Sequence, residues 1–427
     1  MNARSDIRTS DTAGTESNTG AGTTGAEQSV DAGTEAVSGF GGDGSPSAPE
    51  ATSGSVGDSR SVPDVGRSGA ELTRVRPAVR IAGMSAVLRL SMLLTLLALA
   101  AAIVALFVVD ISVGDYHIAL GRVLDVLTGG GTRSQRYVVM ESRLPRAVTA
   151  LVAGAALGIA GAITQSILHN PLASPDVLGI TSGASFAAVA VLAGAGGTAT
   201  GIVASLGVPL AALAGGLATA ALIGVLALGR NSGGDTGLSG MRFILIGIGV
   251  NALLLAGINW LVTRASLDDA TRAQLWLTGS LNGADWNRTG AAAAGLVVVI
   301  TIAAGSARTL AALRFGSDTT RALGVRVQTQ QLVLIGAAVA AAALATAAVG
   351  PLAFVGLAAP QIARRLLRTP GEPVIGSALT GALIVVAADV AARTVVPVDL
   401  PVGLVTAAFG GPFLLLLLIR VNRKATL

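Results

Sequence analysis

The sequence predicts an all-α integral membrane protein of about ten transmembrane helices behind a disordered N-terminal tail. Three observations carry that expectation. Charged residues make up 12% of the 427 and hydrophobic ones 52%, with a mean hydropathy of +0.70. An ordinary soluble domain has about 25% charged residues, so a soluble fold would lack the charges to cover its surface. The apolar residues also come in runs of about 20, the length at which a helix crosses roughly 30 Å of hydrocarbon. No run shows the period-2 alternation of a barrel strand.

Residues 1–80 form the predicted tail. They are rich in Gly, Ser, Thr, Ala, Asp and Glu, and Phe40 is their only aromatic residue. Residues 1–70 carry ten acidic side chains (Asp6, Asp11, Glu16, Glu27, Asp31, Glu35, Asp43, Glu50, Asp58 and Asp64) and four basic ones (Arg4, Arg8, Arg60 and Arg67), a net of −6. Such a segment buries too little apolar area to offset its chain entropy. Its first 30 residues contain no apolar core of a signal peptide. It reads either as an interaction tail or as a dispensable extension.

The membrane domain is expected over 87–420. Its runs fall at 87–109, 147–167, 177–196, 202–229, 242–263, 290–312, 330–349, 351–366, 374–395 and 402–420. The eighth is short and holds Pro360, which predicts a tilted or broken helix. Gly154, Gly158 and Gly161 lie on one face of the second run, where small residues let helices approach closely. Gly247-Ile248-Gly249 imitates part of a dinucleotide fingerprint, but no strand precedes it. Residues 421–427 are read as a short basic C-terminus.

Charge asymmetry orients the chain. With both termini cytoplasmic, the inner segments hold basic residues such as Arg314, Arg321, Arg326, Arg364, Arg365 and Arg368 with few acidic ones, whereas the outer segments are balanced. Arg74, Arg76, Arg80 and Arg89 before the first run favour the same orientation.

Several chemistries are excluded. The chain has no cysteine, so disulfides and thiolate metal sites are absent. His117 and His169 are the only histidines. Lys424 is the only lysine and lies outside any Gly-Lys-Ser/Thr sequence, so no P-loop is present. Polar residues within the runs include Gln165, Asn251, Asn259 and Asp389. They make no chain of carboxylates, which disfavours an ion-driven carrier. No catalytic or metal-binding residue is assigned.

Three irregular segments remain. Ser142-Arg143-Leu144-Pro145-Arg146 puts two arginines on the outer side, fit either to dock a carboxylate-bearing partner or to anchor lipid phosphates. His169-Asn170-Pro171-Leu172-Ala173-Ser174-Pro175-Asp176-Val177-Leu178-Gly179 reads as an ordered turn on the cytoplasmic side, where two prolines stop one helix and start the next, or simply as a tight helix connection. Gly316 to Val325 reads as a short cytoplasmic helix, with Ser317 as N-cap and Gly324 as stop. It is either a surface linker or a handle for a soluble partner.

An ordered set of motifs now points to a family. Arg143-Leu144-Pro145-Arg146 is followed by Gly154-Ala155-Ala156-Leu157-Gly158, Asn170-Pro171-Leu172-Ala173 and Trp276-Leu277-Thr278-Gly279-Ser280. Then come Ala322-Leu323-Gly324-Val325, Gly350-Pro351-Leu352-Ala353-Phe354-Val355-Gly356-Leu357 and Pro401-Val402-Gly403-Leu404. Together these resemble the FecCD family of ABC-transporter permeases, importers of ferric siderophores, haem or vitamin B12. The first 80 residues have no counterpart in that pattern.

The resemblance implies the type II ABC importer permease fold in the bacterial cytoplasmic membrane. It implies a non-catalytic subunit with no cofactor of its own, since ATP is used by a partner ATPase pair. The other implied partners are a second permease subunit, itself or a paralogue, an extracytoplasmic siderophore-binding protein or lipoprotein, and membrane lipid. Nucleic acid is not among them. Arg143, Arg146 and Arg393 match arginines that dock the binding protein. Ser317, Asp318, Arg321, Ala322, Leu323 and Gly324 match the loop that couples to the ATPase. Gln165, Asn170, Pro171 and Pro175 are assigned to a translocation path or helix break. The expected cargo is a ferric siderophore, with haem or a cobalamin-like molecule as the alternative. His169 and Gln361 depart from the family pattern, which commonly has Arg and His there.

Overall fold

In a computed structural model, residues 78–81, 84–87, 90–114, 118–176, 179–194, 202–230, 236–238, 240–395 and 399–425 are described. The expected tail lies outside them up to residue 77. Its last residues pair instead: β1 (Ala78–Ile81) and β2 (Met84–Val87) form an antiparallel hairpin. A second hairpin joins β3 (Leu228–Arg230) to β4 (Thr236–Leu238). Everything else regular among the described residues is helical.

Fifteen α-helices are described: α1 Leu90–Ser112, α2 Leu120–Leu127, α3 Arg133–Arg136, α4 Leu144–Leu168, α5 Ile180–Gly194, α6 Ile202–Ala227, α7 Gly240–Arg264, α8 Leu267–Leu277, α9 Trp286–Gly305, α10 Ala307–Leu313, α11 Ser317–Ala322, α12 Val327–Val349, α13 Val355–Leu366, α14 Val374–Thr394 and α15 Val402–Ala425. All ten expected runs correspond to a helix. Eight are long and apolar enough to cross a membrane among the described residues. The exceptions are α5, with 15 residues, and α13, with 12. Each follows a proline-containing connection that uses up part of the run. The C-terminal segment expected to be separate continues α15 to Ala425.

The second span begins earlier than its apolar run. From Arg133 to Leu168 the chain is continuously helical, through α3, a π-helical turn at Tyr137–Arg143, and α4. Pro145 explains the wide turn. It has no N–H for an α-helical bond to Glu141, and its ring crowds that carbonyl.

Helix α4 is the centre of the molecule. In its best membrane-length window 83% of residues are buried, against 11% for α1 and for α7. It packs on α14, α12 and α13. The glycines make this possible: a Cβ on Gly154 would stand 2.8 Å from the Ala382 Cα, and one on Gly158 would stand 2.7 Å from the Ser377 carbonyl carbon. Without a hydrophobic drive between helices in lipid, such backbone approach is what binds them.

The connection after α4 is not a surface turn. His169 ends the helix in a left-handed conformation with φ 49°. The Asn170 side chain accepts from the Leu172 N–H at 2.9 Å. Beyond it Pro175 packs against Gly356, and the Thr181 hydroxyl donates to the Asp176 carboxylate at 2.8 Å. Gly356 itself meets α4 at Gly161, about 10 Å above the end of that helix at 1.5 Å per residue. The turn therefore folds back into the bundle to meet the start of α13.

Candidate functional site

Helix α4 is 25 residues long, so its ends lie about 37 Å apart. A charged cluster stands at each end.

The first end gathers the C-termini of α1 and α14 with the N-terminus of α4. Asp389 of α14 has no exposed side-chain surface. Arg146 of α4 donates from Nε to its Oδ1 and Oδ2 at 3.1 and 3.0 Å, and from Nη2 to Oδ1 at 2.7 Å. Arg393, one helical turn along α14, donates from Nη2 to Asp389 Oδ2 at 3.0 Å and also to the Asp110 carboxylate of α1. Two arginines finish α1. Arg143 Nη1 donates to the carbonyls of Ile111 and Ser112 at 2.9 and 3.0 Å. Arg393 donates to those of Val113 and Asp110 at 2.9 and 3.1 Å. The last carbonyls of a helix have no intrahelical partner, and cations suit that end.

This differs from the arginines as expected from sequence. Arg143, Arg146 and Arg393 are brought together, but their guanidiniums turn inward. A guanidinium at the edge of a low-dielectric bundle needs acceptors, and buried carboxylates supply them. Arg146 alone keeps noticeable exposure, 16% of its side chain, and its Nη1 also bonds the exposed Asn282. Asp110 and Asn282 were not anticipated. Asp389 was noted only as an intramembrane polar residue, although its i,i+4 spacing to Arg393 was a legible signal.

The other end joins α4 to the loop region after α9. The two His169 ring nitrogens lie 3.1 Å from the Ile167 carbonyl oxygen and 3.0 Å from that of Leu313, the last residue of α10. Glu372 accepts from Arg364 Nη1 at 3.1 Å, and its backbone carbonyl accepts from Arg314 Nη2 at 2.9 Å. These side chains line a cleft of about 520 Å³ with Gln165, Ser166, Asn170, Pro171 and Phe315. Three of the four residues assigned to a path or break thus share one cleft. Pro175 does not, since it sits against Gly356. Gln165 is buried there. Its amide donates to the Leu357 carbonyl at 3.1 Å and its oxygen accepts from Gln361 at 2.6 Å.

The expected coupling helix exists as α11. Its N-cap position is Gly316, at φ 95°, and Ser317 is its first helical residue rather than its cap. The Thr320 hydroxyl bonds the carbonyls of Ala312 and Gly316 at 2.8 and 2.7 Å, which folds α11 back on α10. Gly324, at φ 78°, ends the turn as anticipated. Arg321, Ala322, Leu323 and Gly324 are exposed; Asp318 follows Ser317 in the first turn.

A family model described as the FecCD transport family matches residues 96–420. Among curated proteins, the ferric enterobactin transport system permease protein FepG of Escherichia coli is 41% identical, over 78% of this chain and 98% of its own length. The iron(3+)-hydroxamate import system permease protein FhuG of Bacillus subtilis is 36% identical, over 75% and 95%. The Fe(3+) dicitrate transport system permease protein FecD of Escherichia coli is 38% identical, over 67% and 86%. A solved transporter, described as of metal-chelate ABC type in an inward-facing conformation, superposes with a TM-score of 0.65 at 23% identity. It covers 77% of this chain and 99% of its own, and the two share a fold.

Proposed function

Because the chain belongs to the FecCD transport family, we propose that it is the membrane permease subunit of an ATP-driven importer that brings a ferric siderophore into a bacterial cytoplasm. A permease subunit of this family carries substrate and performs no catalysis. The observation that carries the cargo is the near-complete overlap with permeases named for ferric enterobactin, iron-hydroxamate and ferric dicitrate.

The two ends of α4 take the two partner roles. The end with Arg143, Arg146 and Arg393 faces outward and receives a loaded siderophore-binding protein through its carboxylates. The end with α11 faces the cytoplasm, where residues 317–324 enter an ATPase subunit. Both termini are cytoplasmic, in line with the charge bias. A second permease subunit completes the path.

The hydrogen bonds supply a lever for such coupling. Displacing α11 pulls on α10 through Thr320, and α10 is tied to the end of α4 through His169. Helix α4 carries Arg146 at its far end. Closure of the ATPase would then bias the helices between inward- and outward-open arrangements.

The test is uptake of radioiron from a panel of ferric siderophores in iron-starved cells with and without the gene. Loss of one chelate class, restored by the gene, is the expected result. Unchanged uptake of every ferric siderophore, with loss of haem or cobalamin uptake, would move the cargo. ATP hydrolysis by the purified chain alone would overturn the assignment of that step to a partner.

A further inference from the structure

We propose that the outer arginines dock their partner by carboxylate exchange: Asp389 holds Arg146 until a carboxylate on the incoming protein takes its place. This rests on the docking reading of the outer end and adds what occupies the arginines beforehand.

Three features of the cluster point to exchange rather than simple addition. First, Arg146 is the partly exposed member, and its guanidinium already holds a bidentate carboxylate. An incoming carboxylate cannot take that fork while Asp389 fills it. Second, Asp389 has another partner. Arg393 Nη2 remains 3.0 Å away, so releasing Arg146 does not leave a buried carboxylate alone, an arrangement the bundle interior strongly disfavours. Third, the cluster has unused capacity. Among the described residues, Arg393 Nε and Asp110 Oδ2 are buried without a hydrogen-bond partner. Arg393 Nε is a spare donor, and Asp389 is the neighbouring carboxylate that needs one once Arg146 departs.

Exchange has a mechanical result. The Arg146–Asp389 pair is the polar tie between the outer ends of α4 and α14. Arg143 and Arg393 keep their hold on α1 through the carbonyls of its last turn. Docking would therefore loosen α4 from α14 while leaving α1 in place.

The experiment uses the full chain in lipid nanodiscs with a fluorescent hexaglutamate peptide as probe and hexalysine as control. Wild type should bind hexaglutamate, and Asp389→Asn should bind about tenfold more tightly because the internal competitor is gone. Asp389→Glu, which keeps the competitor, should behave as wild type. Arg146→Ala should lose binding. Arg146-dependent binding that Asp389→Asn leaves unchanged or weakens would overturn the exchange and leave the docking reading standing. Binding that does not depend on Arg146 would overturn both. A second measurement does not need the Asp389 variants to fold. The chain has no cysteine, so spin labels at Ser142→Cys and Val395→Cys, both exposed, report the separation of the two helix ends. Saturating hexaglutamate should change that separation, and an unchanged distance at saturation would refute the exchange.

Discussion

Arg143 is a capping residue before it is anything else. Its guanidinium spans two carbonyls at the end of α1, 31 and 32 residues back along the chain. A hydrogen bond from a charged donor to a buried acceptor contributes about 1.5–3 kcal/mol. Arg143→Ala should therefore lower stability by about 2 kcal/mol, read as an earlier thermal unfolding of the purified protein in detergent. Arg143→Lys should recover little, because an ammonium lacks the planar fork. At this scale the sequence was partly legible. The Arg-Leu-Pro-Arg motif announced a charged site, and Asp389 and Arg393 lie one helical turn apart. Their third partner, Asp110, is 283 residues from Arg393. No local pattern connects two such positions; only the meeting of α1 and α14 does.

At the scale of elements, the contact between α4 and α14 has no room to spare. Gly158→Val would press a branched side chain into the Ser377 carbonyl. Overpacking of this kind costs about 1–3 kcal/mol where a neighbour can move, and here the neighbour is helix backbone. The expected outcome is loss of monodisperse protein on size-exclusion chromatography, whereas Gly336→Ala, with open space around it, should elute normally. Helix α11 makes the opposite prediction. It packs on α10 and α12 at the rim and contributes little to the core, so deleting residues 317–324 should leave the protein inserted and folded while radioiron uptake falls to background. Normal uptake in that deletion would refute its coupling role. Long helices were readable because hydropathy over about 20 residues is a strong signal. The inward course of the turn after α4 was not, since prolines announce a break without saying where the chain goes next. Short amphipathic segments such as α2 and α8 carry too few residues for a periodic pattern to stand out.

On the scale of the whole molecule, the family match begins at residue 96, so the acidic segment of residues 1–70 lies outside it. Removing residues 2–77 should leave uptake near the wild-type level, measured in the same cells as the full-length protein; abolished uptake would make the tail a working part. The anchoring of α1 also bears on how the protein is made. This helix packs on α14, leaves most of its surface uncovered by the rest of the chain, and is held at its far end by Arg143 and Arg393. The second of those anchors is translated 280 residues after the Val113 it grips. At about 5–20 residues per second a ribosome needs tens of seconds to cover that distance. The hold of Arg393 on α1 therefore forms only after nearly the whole membrane domain has been made.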